Sequence, residues 1–470
     1  MIWDLLKFEN NTAIVDELGN SYSYGFLNEK CHELANHIGE RCLVIVLCSN
    51  TIESLVGYIG LVNHNIVPLM LDSHLNDDLL STLIDAYKPK YIWAPKTRPI
   101  SRFTKESFAL GNYSLLKTDF LINYPLFDEL ALLLTTSGST GSPKLVRQSY
   151  KNIIANTQSI VEYLSLDSNE KPITTLPMNY TYGISIINSH LFVGATIILT
   201  EKTIFSREFW QLFKEQNATS FGGVPYTYEM LEKLRFFRMN LPSLKTMTQA
   251  GGKLSLDLHQ KFAEYAFENN KQFVVMYGQT EATARMAYLP PSRAIEKCGS
   301  MGIAIPGGEF LLVDASGNII NEPNVVGELV YKGDNVTLGY AVCGEDLIKG
   351  DENNGKLVTG DMAKFDEDGF FYIVGRKKRF LKMFGKRVNL DEMERMIKSD
   401  FSEVDCACCG VDDHMLIFIT KQSLVNDVKN YVSEKTGINF SGFTVKFIDC
   451  VPKNESGKTL YKELGKYYEQ

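Results

Sequence analysis

Three observations predict an α/β protein made of a large N-terminal domain and a small C-terminal one. Apolar strands alternate with helices over about the first three hundred residues, the texture turns to β near Gly308, and an α+β pattern follows a basic patch after Gly375.

Leu43 to Cys48 is an apolar run of strand length, residues 51–62 carry apolar side chains at helical spacing, and 67–71 form another strand. That strand–helix–strand order predicts parallel pairing, so the large domain reads as mixed parallel sheets with packed helices. Residues 130–134 make an apolar strand that runs into a loop of Ser, Thr and Gly, and 153–164 return to the helical period. Further strands are expected at 197–199, 220–223 and 273–276. In the β-rich part, about 308–375, residues 310–313, the turn Asp314 to Asn318 and Ile319-Ile320 read as a hairpin, and 328–331 and 370–374 continue the pattern. The patch Arg376-Lys377-Lys378-Arg379 divides residues 1–375 from 376–470. Beyond it come a helix (390–398), strands near Cys408 and Ile417, a helix (424–435) and a terminal strand, a small α+β unit.

Composition narrows the function. A formal charge of −8 argues against a large nucleic-acid footprint, which needs clustered Lys and Arg. No run of about eighteen apolar residues suggests a membrane span, and Met1-Ile2-Trp3-Asp4 lacks the basic start of a signal peptide. Nine cysteines at irregular spacing suit reduced thiols in the cytoplasm. Cys406, Cys408 and Cys409, with His414 nearby, lie in an apolar run where packing as small hydrophobes outweighs metal binding.

The strongest chemical signal is Thr135-Thr136-Ser137-Gly138-Ser139-Thr140-Gly141-Ser142-Pro143-Lys144. Glycines let backbone N–H groups approach an anion, hydroxyls add donors, and Lys144 adds charge. It is not a Walker A loop, because no Gly-Lys-Ser/Thr follows at the required spacing; Gly457-Lys458-Thr459 has Pro452 where that motif needs its first Gly.

This segment resembles the phosphate-binding signature of the adenylate-forming superfamily: acyl-CoA synthetases, peptide-synthetase adenylation domains and luciferases. The rest of the series follows in order. Leu176-Pro177-Met178-Asn179-Tyr180-Thr181-Tyr182-Gly183 resembles the aromatic motif beside the acid pocket. Gln249-Ala250-Gly251-Gly252-Lys253 resembles the adenine-side strand and turn, and Tyr277-Gly278-Gln279-Thr280-Glu281 the motif for adenine, phosphate and magnesium. Gly327-Glu328-Leu329, Gly339-Tyr340 and Thr359-Gly360-Asp361 come next. Gly375-Arg376 opens the hinge, with Lys378 at the hinge position and Lys382, Gly385 and Arg387 beyond it; 452–458 resembles the terminal motif with the catalytic lysine, Lys458.

The resemblance implies ATP-dependent activation of a carboxylic acid to an acyl-adenylate, then transfer to a thiol, of CoA or of a carrier protein's phosphopantetheine. It also implies a mobile small domain that presents Lys458 and then turns the Gly385 face to the acceptor. The chemistry is consistent: preplaced donors neutralise the crowded oxygens of the attack. Glu281 suits Mg²⁺, Thr280 the α-phosphate, Asp361 and Arg376 the ribose, and Lys458 bridges carboxylate and nucleotide. Tyr180, Thr181, Gly183 and Gln249 fall at the acid pocket. Amino-acid activators usually carry an Asp where this chain has Thr181. A buried ammonium without a counter-charge costs several kcal/mol, so an acid without a free α-ammonium is expected unless another acid, such as Glu201 or Glu309, reaches the pocket. The basic residues after Gly375 suit CoA or an acidic carrier protein equally, and with no carrier domain following Gln470 and no Gly-Ser-rich linker to one, a stand-alone ligase is expected. An amino-acid adenylating enzyme, a relative with a non-thiol acceptor and a degenerate nucleotide-binding protein are the alternatives; Glu281 and Lys458 argue against the last.

Overall fold

Leu43–Cys48, Val67–Asp72, Tyr91–Pro95 and Leu130–Thr135 are almost wholly buried, as expected for strands covered on both faces. In the computed structural model, which describes residues 2–100, 105–122, 124–135, 144–384, 386–453 and 459–464, they form the parallel centre of an eight-stranded sheet. Antiparallel strands flank them: Leu145–Ser149 and Gly339–Ala341 on one side, Tyr113–Lys117 and Lys105–Leu110 on the other.

The two-residue period of one strand shows how the core divides. Val44, Val46 and Cys48 pack with the helices Tyr24–Ile38 and Ile52–Asn63, whereas Leu43, Ile45 and Leu47 pack with the helix Asp77–Tyr87. Thr51 starts the Ile52–Asn63 helix by accepting the Ser54 N–H, and Ser149 and Asn152 cap Tyr150–Leu164 reciprocally. A second sheet runs Ser220–Gly223, Thr246–Gln249 and Gln272–Tyr277 in parallel, then Ala287–Tyr288 and Ile303–Ala304 antiparallel. Ile197–Ile198 joins a small sheet with Thr12–Val15 and Ser21–Ser23.

The chain groups into two compact units, Met1–Glu309 with Tyr331–Leu357 and Phe310–Val330 with Val358–Gln470. Most residues of a four-stranded sheet in the order Gly308–Val313, Gly327–Gly333, Lys356–Phe365, Phe371–Arg376 belong to the second unit. The expected arm at Ile319-Ile320 is only a single bridge, Ile319 to Val313. Asp314 takes the Ser316 and Asn318 N–H groups into a tight turn, and Pro323 soon after cannot donate to a ladder. The rest includes a two-stranded sheet of Phe380–Met383 and Lys386–Asn389 and a three-stranded sheet of Cys406–Val411, His414–Ile419 and Phe443–Phe447, the latter packed with the helices Leu390–Asp400 and Val425–Thr436. Cys406 and Cys408 face this core, and burial pushes the Cys406 thiol up to about 12 and Cys408 well above its ordinary value, so both remain thiols. The mixed α/β class with a smaller C-terminal part matches the expectation from the sequence. Among the described residues no helix is long and apolar enough to cross a membrane.

Candidate active site

In the first unit, the strand Gln272–Tyr277 leads through Gly278 and Gln279 into a single turn, Thr280–Ala282. A Cβ at Gly278 would collide with the Ala284 carbonyl, so only glycine lets the chain double back here. Thr280 is buried; the Gln279 amide donates to the Tyr277 hydroxyl at 3.1 Å. The Glu281 carbonyl accepts both the N–H and the hydroxyl of Thr337, each at 3.0 Å. Its Oε1 accepts from the Tyr340 hydroxyl at 2.8 Å, and among the described residues Oε2 accepts no hydrogen bond. Burial and the adjacent Glu281 push the Tyr340 phenol up, so it stays a donor. Lys144 Nζ lies 3.4 Å from the centre of the Tyr340 ring. The structure thus brings Lys144, Tyr340 and Glu281 together. A carboxylate with one oxygen held and one available fits a Mg²⁺ ion that keeps waters and phosphate oxygens as its other ligands.

The aromatic motif opens the helix Thr181–Phe192, with Tyr180 at its N-cap and Gly183 in its first turn against the Pro177 carbonyl. Burial pushes the Tyr180 phenol up to about 12. Its hydroxyl lies 2.7 Å from where a Cβ of Gly251 would stand, and Gly251 has φ +84°, so the turn needs glycine on both counts. Tyr182 packs with Leu176, Val224, Ala250, Val274 and Met276, an apolar cluster beside the motif. Gln249 is fully buried: its Nε2 donates to the carbonyls of Ala250 (3.2 Å) and Gly252 (2.9 Å), and Oε1 has no partner among the described residues. Lys253 is exposed. The Thr181 hydroxyl, rather than facing open space, donates to the Thr283 carbonyl. Glu201 is exposed, and Glu309 pairs with Lys332 at 3.2 Å on the surface.

In the second unit, Asp361 is buried and pairs with Arg376 Nε at 2.8 Å across the Lys356–Phe365 and Phe371–Arg376 strands. Thr359 supports it: its hydroxyl accepts the Asp361 N–H and donates to the Leu329 carbonyl. Lys378 is exposed within a single turn, Lys377–Arg379. The exposed Lys382 lies on Phe380–Met383, in register with Arg387 on Lys386–Asn389. Thr136, Ser137, Gly138, Ser139, Thr140, Gly141, Gly385 and Lys458 lie outside the described residues, as does the side chain of Arg387.

Two features escaped the sequence reading. Tyr340 appears there only as half of a dipeptide block, yet it bridges Lys144 and Glu281. Arg379, seen only as part of a charge run, is largely buried; it contacts Asp391, donates to Glu394 at 2.6 Å, and lies 3.8 Å from the ring centre of Tyr461. The i, i+3 spacing of Asp391 and Glu394 at the start of a helix was the available signal.

The profile of the family described as AMP-binding enzyme matches residues 3–341. The chain is 30% identical over 352 residues to peroxisomal OPC-8:0-CoA ligase 1 of Arabidopsis thaliana, covering 72% of this chain and 64% of that protein. It is 28% identical over 345 residues to 2-succinylbenzoate–CoA ligase of Bacillus licheniformis, covering 72% and 70%. The match therefore spans about two thirds of these relatives' own length. Among solved structures, O-succinylbenzoate coenzyme A synthetase from Bacillus subtilis in complex with AMP superposes with a TM-score of 0.79 at 20% identity, covering 98% of this chain and 97% of that one. At that identity the likeness speaks for the fold.

Proposed function

The chain belongs to the AMP-binding enzyme family, and from that premise we propose that it joins a carboxylic acid to ATP, releasing pyrophosphate, and passes the acyl group from the adenylate to a thiol. The observation that carries this is the contact of Lys144, Tyr340 and Glu281, a cation and an oriented carboxylate joined through one ring. Lys144, Thr280 and the hydroxyls and N–H groups of residues 136–141 would supply donors for the phosphates, where preplaced dipoles stabilise charge most. Glu281 would hold Mg²⁺, which when bound spreads the negative charge of the phosphates. Gly251, Gly252, Lys253, Tyr277, Gly278 and Gln279 frame the adenine side; Asp361 and Arg376, already paired, meet the ribose. Tyr180, Thr181, Gly183 and Gln249 border the acid. Lys458 draws the acid's carboxylate and the nucleotide together.

We take residues 376–470 as the part that reorients about Lys378, bringing Lys382, Gly385 and Arg387 to the thiol. The relatives' names, both CoA ligases, support CoA as acceptor, and a carrier-protein thiol has the same arm. The buried free thiols of Cys31, Cys42 and Cys48 suit a reducing compartment such as the cytoplasm.

The test is acid-dependent exchange of labelled pyrophosphate into ATP across a panel of acids, followed by a thiol-acceptor assay. Lys458→Ala should abolish exchange and leave thioester formation from supplied acyl-adenylate intact. Equal loss of both half-reactions in a folded variant would refute that division of labour. Exchange without transfer to CoA or a carrier thiol would favour the non-thiol reading.

A further inference from the structure

Beside the aromatic motif, on the helix Thr181–Phe192, lies a cavity of about 30 Å³ lined by Ile186, His190, Gly222, Thr248, Glu170 and Arg285. That is room for one or two water-sized groups. Arg285 is 2% exposed, yet no carboxylate pairs with it among the described residues. Its Nε donates to the Ser185 hydroxyl at 3.2 Å, and its Nη1 to the Tyr163 hydroxyl at 2.9 Å and towards Met276 Sδ at 3.3 Å. Its guanidinium also lies 5.2 Å from the Tyr182 ring centre. Nη2 makes no hydrogen bond among the described residues. All its partners are neutral, and a buried guanidinium without a counter-charge is an expensive arrangement in a folded protein.

Two further facts point to a polar occupant. The amides of Asn156 and Asn335 hold the Arg285 carbonyl at 2.9 and 3.1 Å, so the residue is fixed in place. His190 Nδ1 lies 2.8 Å from the Ile186 carbonyl, to which only a protonated nitrogen can donate; Nε2 is then left as a buried acceptor, and among the described residues it has no partner. Glu170, the one acid in the wall among the described residues, is already engaged by the Thr219 hydroxyl at 2.6 Å and by Lys245 at 3.2 Å.

We propose that Arg285 receives a second carboxylate of the substrate, so that the acid this protein activates is a short dicarboxylic acid. The inference rests on the ligase reading above. Tyr182, Ser185, Ile186 and His190 share one face of the helix, and its rise puts Ser185 roughly 4.5 Å and His190 roughly 12 Å beyond Tyr182. An acid whose reacting carboxylate sits at the Tyr180 end and runs along this face brings a second carboxylate to Arg285 after a few carbons. The same cation repels an α-ammonium, in keeping with the neutral Thr181.

The experiment uses the full chain and α,ω-dicarboxylates of three to six carbons, together with aromatic diacids, each beside its monomethyl ester. Two quantities are read: pyrophosphate exchange, and the melting temperature with acid alone. At least one diacid should surpass its ester by about 30-fold or more in kcat/KM, as expected for a buried charge pair. The same diacid, and not its ester, should raise Tm. Arg285→Met should collapse the ratio towards one, and Arg285→Lys should keep part of it. Equal use of diacid and ester, or preference for the ester, overturns the proposal. Exchange with no acid sinks the ligase reading, while a diacid-specific Tm rise would still support Arg285 as the carboxylate reader; absence of both overturns both. Should Arg285→Met fail to fold, the wild-type ratio and Tm shift decide.

Discussion

Thr283 holds φ 66° and ψ −55°, a γ-turn that closes the Ala284 N–H onto the Ala282 carbonyl at 2.7 Å, two residues past Glu281. For a β-branched residue this backbone costs about 1–3 kcal/mol, and it persists because its surroundings over-determine it. The Thr283 carbonyl accepts from the Thr181 hydroxyl and, at 3.4 Å, from Gln148 Nε2, while its own hydroxyl donates to the Asn335 carbonyl at 2.7 Å. Thr181 is thus a brace for the Glu281 turn. Thr181→Val should lower stability by about 1–2 kcal/mol in denaturant unfolding. Thr181→Asp should lower it further, because a buried carboxylate would face a carbonyl lone pair, and should bring no gain with α-amino acids. A stable Thr181→Asp variant that prefers amino acids to their deamino analogues would show that the hydroxyl is dispensable to the turn. Tyr340 acts one step from the proposed metal. Tyr340→Phe should raise the Mg²⁺ concentration for half-maximal exchange by about tenfold and leave acid preference unchanged; an unaltered Mg²⁺ titration would show that Glu281 needs no such support.

The helix Thr181–Phe192 carries a charge-sensitive side chain deep in the unit. Burial holds the His190 imidazole down at about 4, against the weaker opposing pulls of its backbone hydrogen bond and of Glu170, while Arg285 also lowers it. The sign follows from linkage. Above pH 6.5 the ring is neutral in both folded and unfolded chains; between 6.5 and 4 only the unfolded chain takes up the proton, so stability falls as pH falls. Over that window the loss amounts to about 3 kcal/mol. His190→Gln should flatten the decline in Tm between pH 6.5 and 4 relative to wild type, and parallel curves for the two proteins would show that His190 titrates normally. How far such elements are legible from sequence depends on what dictates them. Leu43–Cys48 follows from an apolar run bounded by turn residues, and the structure has it at the expected limits. Ala287–Tyr288 and Ile303–Ala304 are two residues each, too short for any period, and exist because the Gln272–Tyr277 edge supplies partners. The order of the motifs carries the family resemblance; the brace at Thr181 has no such signal, since nothing local says that Thr283 adopts a positive φ. Nothing local marks Arg285 as buried either, since arginine is mostly exposed, and only the fold buries it.

At the scale of the whole molecule, the proposed cycle asks one chain to serve two half-reactions, with Lys458 needed in the first and the Lys382–Gly385 region in the second. Within the second unit, contacts cluster around the basic patch. Lys377 pairs with Glu328 at 2.7 Å, Arg376 with Asp361, and Arg379 with Glu394 and Tyr461, the last of which follows the terminal motif. Lys378, between these anchored neighbours, is exposed. A residue so placed can absorb a change of backbone angle at little cost in packing. Proline there would fix φ near −65° and remove one rotational freedom while touching neither the ATP nor the acid residues. Lys378→Pro should therefore separate the half-reactions: pyrophosphate exchange within about threefold of wild type, thioester formation from supplied acyl-adenylate reduced by about a hundredfold, a loss that matches a conformational step rather than chemistry. Lys378→Ala, which keeps the freedom and removes only the charge, should retain both. Loss of transfer in the alanine variant as well would mean that the ammonium itself contacts the acceptor, and full activity in the proline variant would mean that the chain turns elsewhere.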